Sequence, residues 1–198
     1  MNGALTKTLA TRKLSLFILT SLDGKVARSN GEIDWIWTDP VEGPNSDCNY
    51  GKFMSSVKYV VTGRKTFDIS ASFEKLPFAG KQKYVFTRTA GSSRPNDETT
   101  YISDDPAQFV RELKTRAPLD NVEDEKIWLL GGAEIFKQLH DADLVDEIIL
   151  TIQPIIIGAG INLFDGITLE TKWNLVSCES WKEGLVQMTY SRSPTPTV

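Results

Sequence analysis

Glycine, hydroxyl and basic residues follow three apolar segments of this chain, and that combination of groups binds phosphate in proteins. The run KYVVT is followed by GRKT at residues 63–66, KYVF by TRT at 87–89, and IWLL by GGAE at 131–134. Glycine lets the backbone turn sharply and lets another group approach closely. Each segment alone has an ordinary explanation as a surface charge pair, a helix cap or a tight turn. Three of them at corresponding strand ends predict a dinucleotide phosphate site.

Two common phosphate-binding motifs are absent from the sequence. The P-loop motif G-x-x-x-x-G-K-[ST] needs lysine directly after glycine. Here Arg64 separates Gly63 from Lys65, and no glycine lies five positions before Gly63. The dinucleotide fingerprint G-x-G-x-x-G is also missing. These absences argue against a P-loop kinase and against an ordinary Rossmann domain.

Strand and helix patterns alternate along the chain. Apolar, β-branched and aromatic runs predict strands at 14–20, 58–63, 83–87, 99–103, 126–130 and 146–157. Helical patterns occupy 46–56, 105–116 and the segment that follows Gly132. The last segment, 173–193, alternates around Glu183 and Gly184 and predicts an antiparallel hairpin.

This alternation predicts an α/β fold of three layers, with helices on both faces of a mixed, mostly parallel sheet and an antiparallel hairpin at its C-terminal end. Ligands of such sheets bind beyond the carboxyl ends of the strands. The residues that directly follow each strand are therefore the informative ones. We expect one domain at residues 13–192, between flexible tails at 1–12 and 193–198.

The composition excludes several classes of function. The net charge of −4 argues against binding of nucleic acid. The chain has a single histidine, His140, which argues against a zinc site or a histidine-dependent triad, and we expect it to be a polar surface residue. The two cysteines are far apart and predict free thiols in a reducing compartment. Without a signal-peptide pattern or a run of about 18 apolar residues, we expect a cytoplasmic protein that does not bind a membrane.

Four motifs together resemble the dihydrofolate reductase superfamily, and specifically the branch that includes the reductase domain of riboflavin biosynthesis. The resemblance extends from Leu14 to Arg192. The motifs are TSLDGKVA at 20–27, GRKTFD at 63–68, LLGGAEIFKQL at 129–139 and LVDEIILTIQPIIIGAGINLF at 144–164.

The resemblance implies a fold that binds NADPH across the carboxyl edge of the sheet. A first group of residues would hold the phosphates and the adenosine ribose, with Arg88 reading a 2′-phosphate. A second group would line the nicotinamide, beneath a mobile loop at residues 21–35. The first group is Gly63, Arg64, Lys65, Thr66, Thr87, Arg88, Gly131, Gly132, Ala133, Glu134 and Ile135. The second is Leu19, Thr20, Val26 and Ala27.

Hydride transfer to a C=N or C=O bond also needs a proton donor. In dihydrofolate reductases an acid follows a tryptophan by a few residues, and Asp39 is the nearest match after Trp35. Asp39 precedes proline and is equally well explained as a helix cap. Asp34 is a second candidate, with a solvated turn as its alternative. Asp23, in the sequence LDG, is better explained as a turn residue than as a catalytic one.

The resemblance implies an NADPH-dependent reductase of a small pterin or aminopyrimidine-type heterocycle. The alternatives are a true dihydrofolate reductase and a non-catalytic nucleotide-binding protein on the same fold. The riboflavin branch usually carries a lysine shortly before SLDG and Asp-Asp-Pro after its G-x-x-T motif. This chain has Phe17 at the first place and DISA at 68–71 at the second, so the substrate stays open.

The sequence also suggests a homodimer. The segment 146–157 is long and apolar, and we place it near an edge of the sheet. An alternative is that this segment is a central, buried strand.

Overall fold

A computed structural model describes residues 11–37, 46–73, 78–89, 98–116 and 125–193 of the chain. These residues form ten β-strands and four α-helices. The strands are Leu14–Ser21 (β1), Lys25–Ala27 (β2), Val57–Gly63 (β3), Gln82–Phe86 (β4), Thr99–Ile102 (β5), Lys126–Gly131 (β6), Glu147–Gln153 (β7), Ile161–Asn162 (β8), Trp173–Ser180 (β9) and Val186–Arg192 (β10). The helices are Tyr50–Ser56 (α1), Arg64–Ser70 (α2), Pro106–Thr115 (α3) and Ala133–Asp141 (α4). None of the helices in these ranges has the length and apolar character needed to cross a bilayer.

Eight of the strands form one sheet in the order β5-β4-β3-β6-β1-β7-β10-β9. The six strands from β5 to β7 are mutually parallel. The C-terminal strands β10 and β9 add on as antiparallel neighbours. The predicted mixed, mostly parallel sheet with a C-terminal hairpin is therefore confirmed.

The two faces of the sheet carry two separate apolar clusters, because successive side chains of a strand point to opposite faces. Val61 of β3 packs on one face with Val110 of α3 and Phe136 of α4. Its neighbour Val60 packs on the other face with Phe53 of α1. Helices thus cover both faces, which gives the three layers expected.

A two-stranded sheet of β2 and β8 was not predicted. Lys25 pairs with Asn162 and Ala27 with Ile161. Strands of three and two residues are too short to show a period in the sequence. This small sheet ties the segment after β1 to the segment after β7.

Paired charges cluster at the amino edge of the main sheet. Arg12, which we had assigned to the N-terminal tail, is 2% exposed and bonds Glu125 through Nε at 2.8 Å. Lys114 bonds Asp146 at 2.6 Å, at the start of β7. Asp146 in turn accepts the backbone N–H of Leu14 at 2.7 Å. Lys126 and Glu147 form a further pair at 2.6 Å. These contacts join the amino ends of neighbouring strands to one another and to the end of α3.

Strand β7 is not an edge strand, so the reason for expecting a dimer there is wrong. It lies between β1 and β10 and ends at Gln153, directly before Pro154. The edges of the main sheet are β5, with four residues, and β9, with eight. Leu175 and Val176 of β9 are 57% and 62% exposed. Self-association itself stays a prediction, and β9 is the edge better suited to it, because it is the longer edge and exposes these two apolar side chains.

Light scattering of the purified chain tests this prediction. We expect a dimer for the wild type and a monomer for Val176→Lys, because a charge on an edge strand opposes pairing between edges. Thr100→Lys, on the exposed part of the opposite edge, is the matched control and should stay dimeric. A monomeric wild type would refute self-association, and a dimeric Val176→Lys would refute the use of β9.

His140 is buried, contrary to the expectation of a surface histidine. Its side chain is 6% exposed and stacks on Trp173, with 6.5 Å between ring centroids. Its Nε2 lies 2.9 Å from Oγ1 of Thr171. Burial is the largest influence on the pKa of His140 and lowers it, because removal from water disfavours the imidazolium. The histidine is therefore neutral in the folded chain near neutral pH.

We expect His140 to make the fold less stable in acid. Because its folded pKa lies below the unfolded value of about 6.5, the stabilisation is complete above about pH 6.5 and is lost as pH falls towards the folded pKa. Chemical denaturation at about pH 7.5 and about pH 5.5 should show the wild type losing up to about 1 kcal/mol more than His140→Gln. Equal losses in both proteins would show that His140 does not carry this dependence.

Candidate functional site

The three phosphate-type segments meet at one edge of the sheet. Strands β4, β3 and β6 are parallel neighbours, so their carboxyl ends lie side by side. Residues 63–66, 87–89 and 131–135 begin at those ends. The structure thus brings together the segments that sequence analysis grouped.

Two helices begin in contact with each other at this edge. Gly63 precedes α2 and Gly132 precedes α4, and neither helix start is capped by the side chain of that residue. A β-carbon added to Gly132 would lie 2.9 Å from Oγ1 of Thr66, and one added to Gly63 would lie 3.1 Å from a side-chain carbon of Ile135. Only glycine fits at Gly132 without a shift. The first N–H groups of a helix have no partner inside the helix, so this contact concentrates donors and positive helix-dipole ends.

The turn between β6 and α4 is fixed by a hydroxyl that sequence analysis did not single out. Thr62 is fully buried, and its Oγ1 donates to the carbonyl oxygen of Gly131 at 2.9 Å. Gly131 has a φ of +111°, in the region that disfavours side chains. The terminal methyl of Ile18 on β1 lies 3.7 Å from where a β-carbon of Gly131 would be. The turn therefore borders β1 as well as β3.

The two predicted phosphate arginines differ in how tightly they are held. Nε of Arg64 donates to both carboxylate oxygens of Asp68 at 2.8 Å, and its guanidinium lies 5.2 Å from the ring centre of Tyr101. The hydrogen bond to Asp68 raises the pKa of Arg64. Arg88 is 93% exposed and lies 3.4 Å from Glu134. Arg64 is thus fixed beside the end of β3, whereas Arg88 has room to reorient.

The remaining members of the predicted phosphate group lie at the same edge. Lys65 is exposed in the first turn of α2. Thr87 follows β4, and its Oγ1 accepts the N–H of Thr89 at 3.2 Å. Ala133 is the first residue of α4. These positions agree with the grouping, and their roles in binding stay predictions.

The predicted nicotinamide residues lie around the end of β1. Thr20 is 2% exposed, and Leu19, which precedes it near the end of that strand, is half-buried. Val26 and Ala27 belong to β2, and Ala27 is 8% exposed. Because β1 neighbours β6, this group lies beside the glycine turn.

The structure describes one of the two proton-donor candidates. Asp34 is exposed and bonds Nε of Arg28 at 2.5 Å. That hydrogen bond lowers the pKa of Asp34, whereas a proton donor at neutral pH needs a raised one. Asp39 lies outside the described residues. The geometry thus does not favour Asp34, and the role of Asp39 stays a prediction.

A buried polar network beside β7 was missed by the sequence analysis. Gln187 on β10 is 4% exposed, and its Nε2 donates to Oγ1 of Thr151 and to the carbonyl of Cys48, each at 2.8 Å. Its Oε1 accepts from Nδ2 of Asn49 at 2.9 Å. Both Cys48 and Asn49 have positive φ, 51° and 60°. The network holds this unusual entry to α1 against the sheet.

Phe17 forms part of an aromatic wall under α1. Its ring stacks on Phe53 at 4.6 Å between centroids and meets the edge of Trp128 at 6.4 Å. The indole Nε1 of Trp128 donates to the carbonyl of Phe17 at 3.2 Å. The position that carries lysine in the riboflavin branch is therefore apolar and packed in this chain.

A model of the family described as RibD C-terminal domain matches residues 12–187, so the chain belongs to that family of oxidoreductase domains. The Bacillus subtilis (strain 168) protein YwjB, whose function is uncharacterised, is 34% identical over 183 residues, which is 92% of this chain and 99% of YwjB. The resemblance to the riboflavin-reductase branch of the dihydrofolate reductase superfamily is confirmed.

Solved structures share the fold. A Shewanella sp. PV-4 protein, provisionally named a riboflavin biosynthesis protein, has a TM-score of 0.77 at 26% identity, over 92% of this chain and 99% of that one. The diaminohydroxyphosphoribosylaminopyrimidine deaminase/5-amino-6-(5-phosphoribosylamino)uracil reductase of Thermotoga maritima has a TM-score of 0.63 at 15% identity. That alignment covers 92% of this chain and 57% of the Thermotoga chain, and at this identity it shows the fold alone.

Proposed function

We propose that this chain is an NADPH-dependent reductase that delivers hydride to a small pterin or aminopyrimidine-type heterocycle. The observation that carries the proposal is the contact between the starts of α2 and α4. There Gly132 leaves no space for a β-carbon beside Thr66, 2.9 Å away. Bare helix starts of this kind bind phosphate through backbone N–H groups. Membership of a reductase-domain family supports the same function.

The residues present fit a dinucleotide with an extra phosphate. The N–H groups at the start of α4 would hold the pyrophosphate, with Thr66 and Lys65 beside them. Arg64 and Arg88 flank the same edge and would bind the 2′-phosphate, because guanidinium forms paired, charge-assisted bonds to phosphate. NADPH supplies the hydride when it is bound.

The chain's own groups would orient the ring and exclude water. Leu19 and Val26 present apolar surface at the end of β1 and on β2, where the nicotinamide is predicted to lie. Trp35 is 4% exposed, and the amide of Gln153 at the end of β7 connects the backbone of Trp35 to that of Trp37. In the favoured orientation of that amide, nitrogen donates to the carbonyl of Trp35 at 3.3 Å and oxygen accepts from the N–H of Trp37 at 2.9 Å. Such packing keeps water from the path of the hydride.

Phe17, at the position where the riboflavin branch usually carries a lysine, favours a substrate without a phosphate group. Phe17 lies in a stack with Phe53 and offers no positive charge for a substrate phosphate. A true dihydrofolate reductase is the alternative, and methotrexate sensitivity of the activity separates the two.

Titration with NADPH and NADH, followed by nicotinamide fluorescence, tests the cofactor. We expect the Arg64→Ala/Arg88→Ala double variant to bind NADPH about 100-fold more weakly and NADH about as well as the wild type, because only NADPH carries the 2′-phosphate. Arg111→Ala, a surface arginine on α3, is the control. Equal losses for both cofactors would refute the 2′-phosphate assignment. A wild type that binds neither cofactor would refute the reductase.

Asp39→Asn tests the proton donor. If Asp39 donates the proton, turnover should fall by about 100-fold or more while the melting temperature hardly changes. If Asp39 is only a helix cap, Asp39→Asn should keep both turnover and stability, because asparagine caps a helix about as well as aspartate, and Asp39→Ala should lower stability by about 1 kcal/mol while turnover persists. Asp34→Asn, assayed in parallel, should retain turnover because its carboxyl is held ionised by Arg28.

A further inference from the structure

We infer that Asp23 is a positioning residue whose carboxylate anchors the nicotinamide-facing segment 24–27 to the loop that follows β7. Sequence analysis assigned Asp23 to turn formation. The inference rests on the proposed function, since it concerns residues that are predicted to line the nicotinamide.

The carboxylate of Asp23 bonds a distant segment with both of its oxygens. Oδ1 accepts the backbone N–H of Ile157 at 3.2 Å, and Oδ2 accepts that of Gly158 at 2.9 Å. Oδ1 also accepts from Oγ of Ser21 at 2.7 Å, and that hydroxyl accepts the N–H of Lys25 at 2.9 Å. One side chain therefore closes the turn after β1 and joins it to residues more than 130 positions further along the chain.

The backbones of residues 22–27 and 155–163 pack so closely that side chains would not fit between them. The N–H of Leu22 donates to the carbonyl of Ile155 at 2.7 Å, and that of Leu163 donates to Gly24 at 3.2 Å. A β-carbon on Gly160 would lie 2.5 Å from the carbonyl oxygen of Ala27. Asp23 lies at the open end of this contact, where β2 has not yet begun to pair with β8. The part of the predicted mobile loop from residue 21 to 27 is accordingly held in place.

A turn residue and an anchor place different demands on this position. Asparagine forms such turns as well as aspartate does. As an anchor, Asp23 needs both Oδ1 and Oδ2 to be hydrogen-bond acceptors, because two N–H groups and one hydroxyl donate to them. Asparagine presents an NH2 group at one end, which would face a backbone N–H and break at least one of these bonds. Asp23→Asn is thus nearly isosteric and separates the two roles.

Asp23 acts on the predicted nicotinamide residues and not on the edge of the sheet where residues 63–66, 87–89 and 131–135 meet. Thr20 is the penultimate residue of β1, before the turn, and Val26 is the middle residue of β2, after it. The carboxylate of Asp23, which lies between these two residues in the sequence, sets the separation of β2 from the end of β1. Asp23 itself is assigned no contact with cofactor or substrate.

The test compares two ligands on Asp23→Asn by calorimetry. NADPH would use both halves of the site, whereas adenosine 2′,5′-bisphosphate carries the phosphates without nicotinamide. We expect about tenfold weaker NADPH binding and unchanged binding of the bisphosphate, because lost preorganisation affects only the nicotinamide half. The control is Asp165→Asn, an exposed acid near β8, which should match the wild type for both ligands.

Unchanged NADPH binding, or equal weakening of both ligands, would overturn the anchor. If Asp23→Asn does not fold, Ser21→Ala decides. It removes the hydroxyl contact at 2.7 Å while the carboxylate remains, and we expect a smaller loss, confined to NADPH. No loss in that variant would likewise overturn the anchor. Failure of the proposed function looks different, because the wild type would then bind neither ligand.

Discussion

The site depends on the contact between the starts of α2 and α4. Each helix start places a glycine against a side chain of the other, and a β-carbon on Gly132 would lie only 2.9 Å from the hydroxyl of Thr66. The buried hydroxyl of Thr62 then fixes the carbonyl of Gly131, so the turn cannot relax away from β3. Donor groups from both helices are therefore directed at one place before any ligand arrives, which lowers the cost of ordering them on binding.

Sheet order explains why this contact forms where it does. Because β3 and β6 are parallel neighbours, the helices that follow them start side by side. Strand β1 is the next neighbour, and its end meets the short β2–β8 sheet through Asp23. The edge where residues 63–66, 87–89 and 131–135 meet and the predicted nicotinamide residues are thus formed by strands that are neighbours in one sheet. The dinucleotide that we propose would therefore need no separate domain to hold it.

The sequence predicted the features that repeat along the chain and missed those that arise from single contacts. Strand runs and the groups that follow them have a recognisable pattern, so the meeting of residues 63–66, 87–89 and 131–135 at one edge of the sheet was predictable. The β2–β8 sheet was too short to show one. His140 and Gln187 are polar residues on buried positions, and only the partners Thr171 and Thr151, distant in sequence, explain their burial. The residues around Asp23 have the composition of a turn, and the hydrogen bonds from Asp23 to distant residues could not be predicted from its neighbours in the sequence.

The paired charges at the amino edge have a consequence for how such chains diversify. Arg12, Lys114 and Lys126 join strands and helices at the end opposite the site, where each has a carboxylate partner. Arg12 is 2% exposed, and removing one partner of such a buried pair is costly, so this position tolerates little change. The carboxyl edge carries exposed side chains such as Arg88, whose replacement disturbs no packing. The groups available for binding at one rim of the sheet can therefore change while the opposite rim preserves the fold.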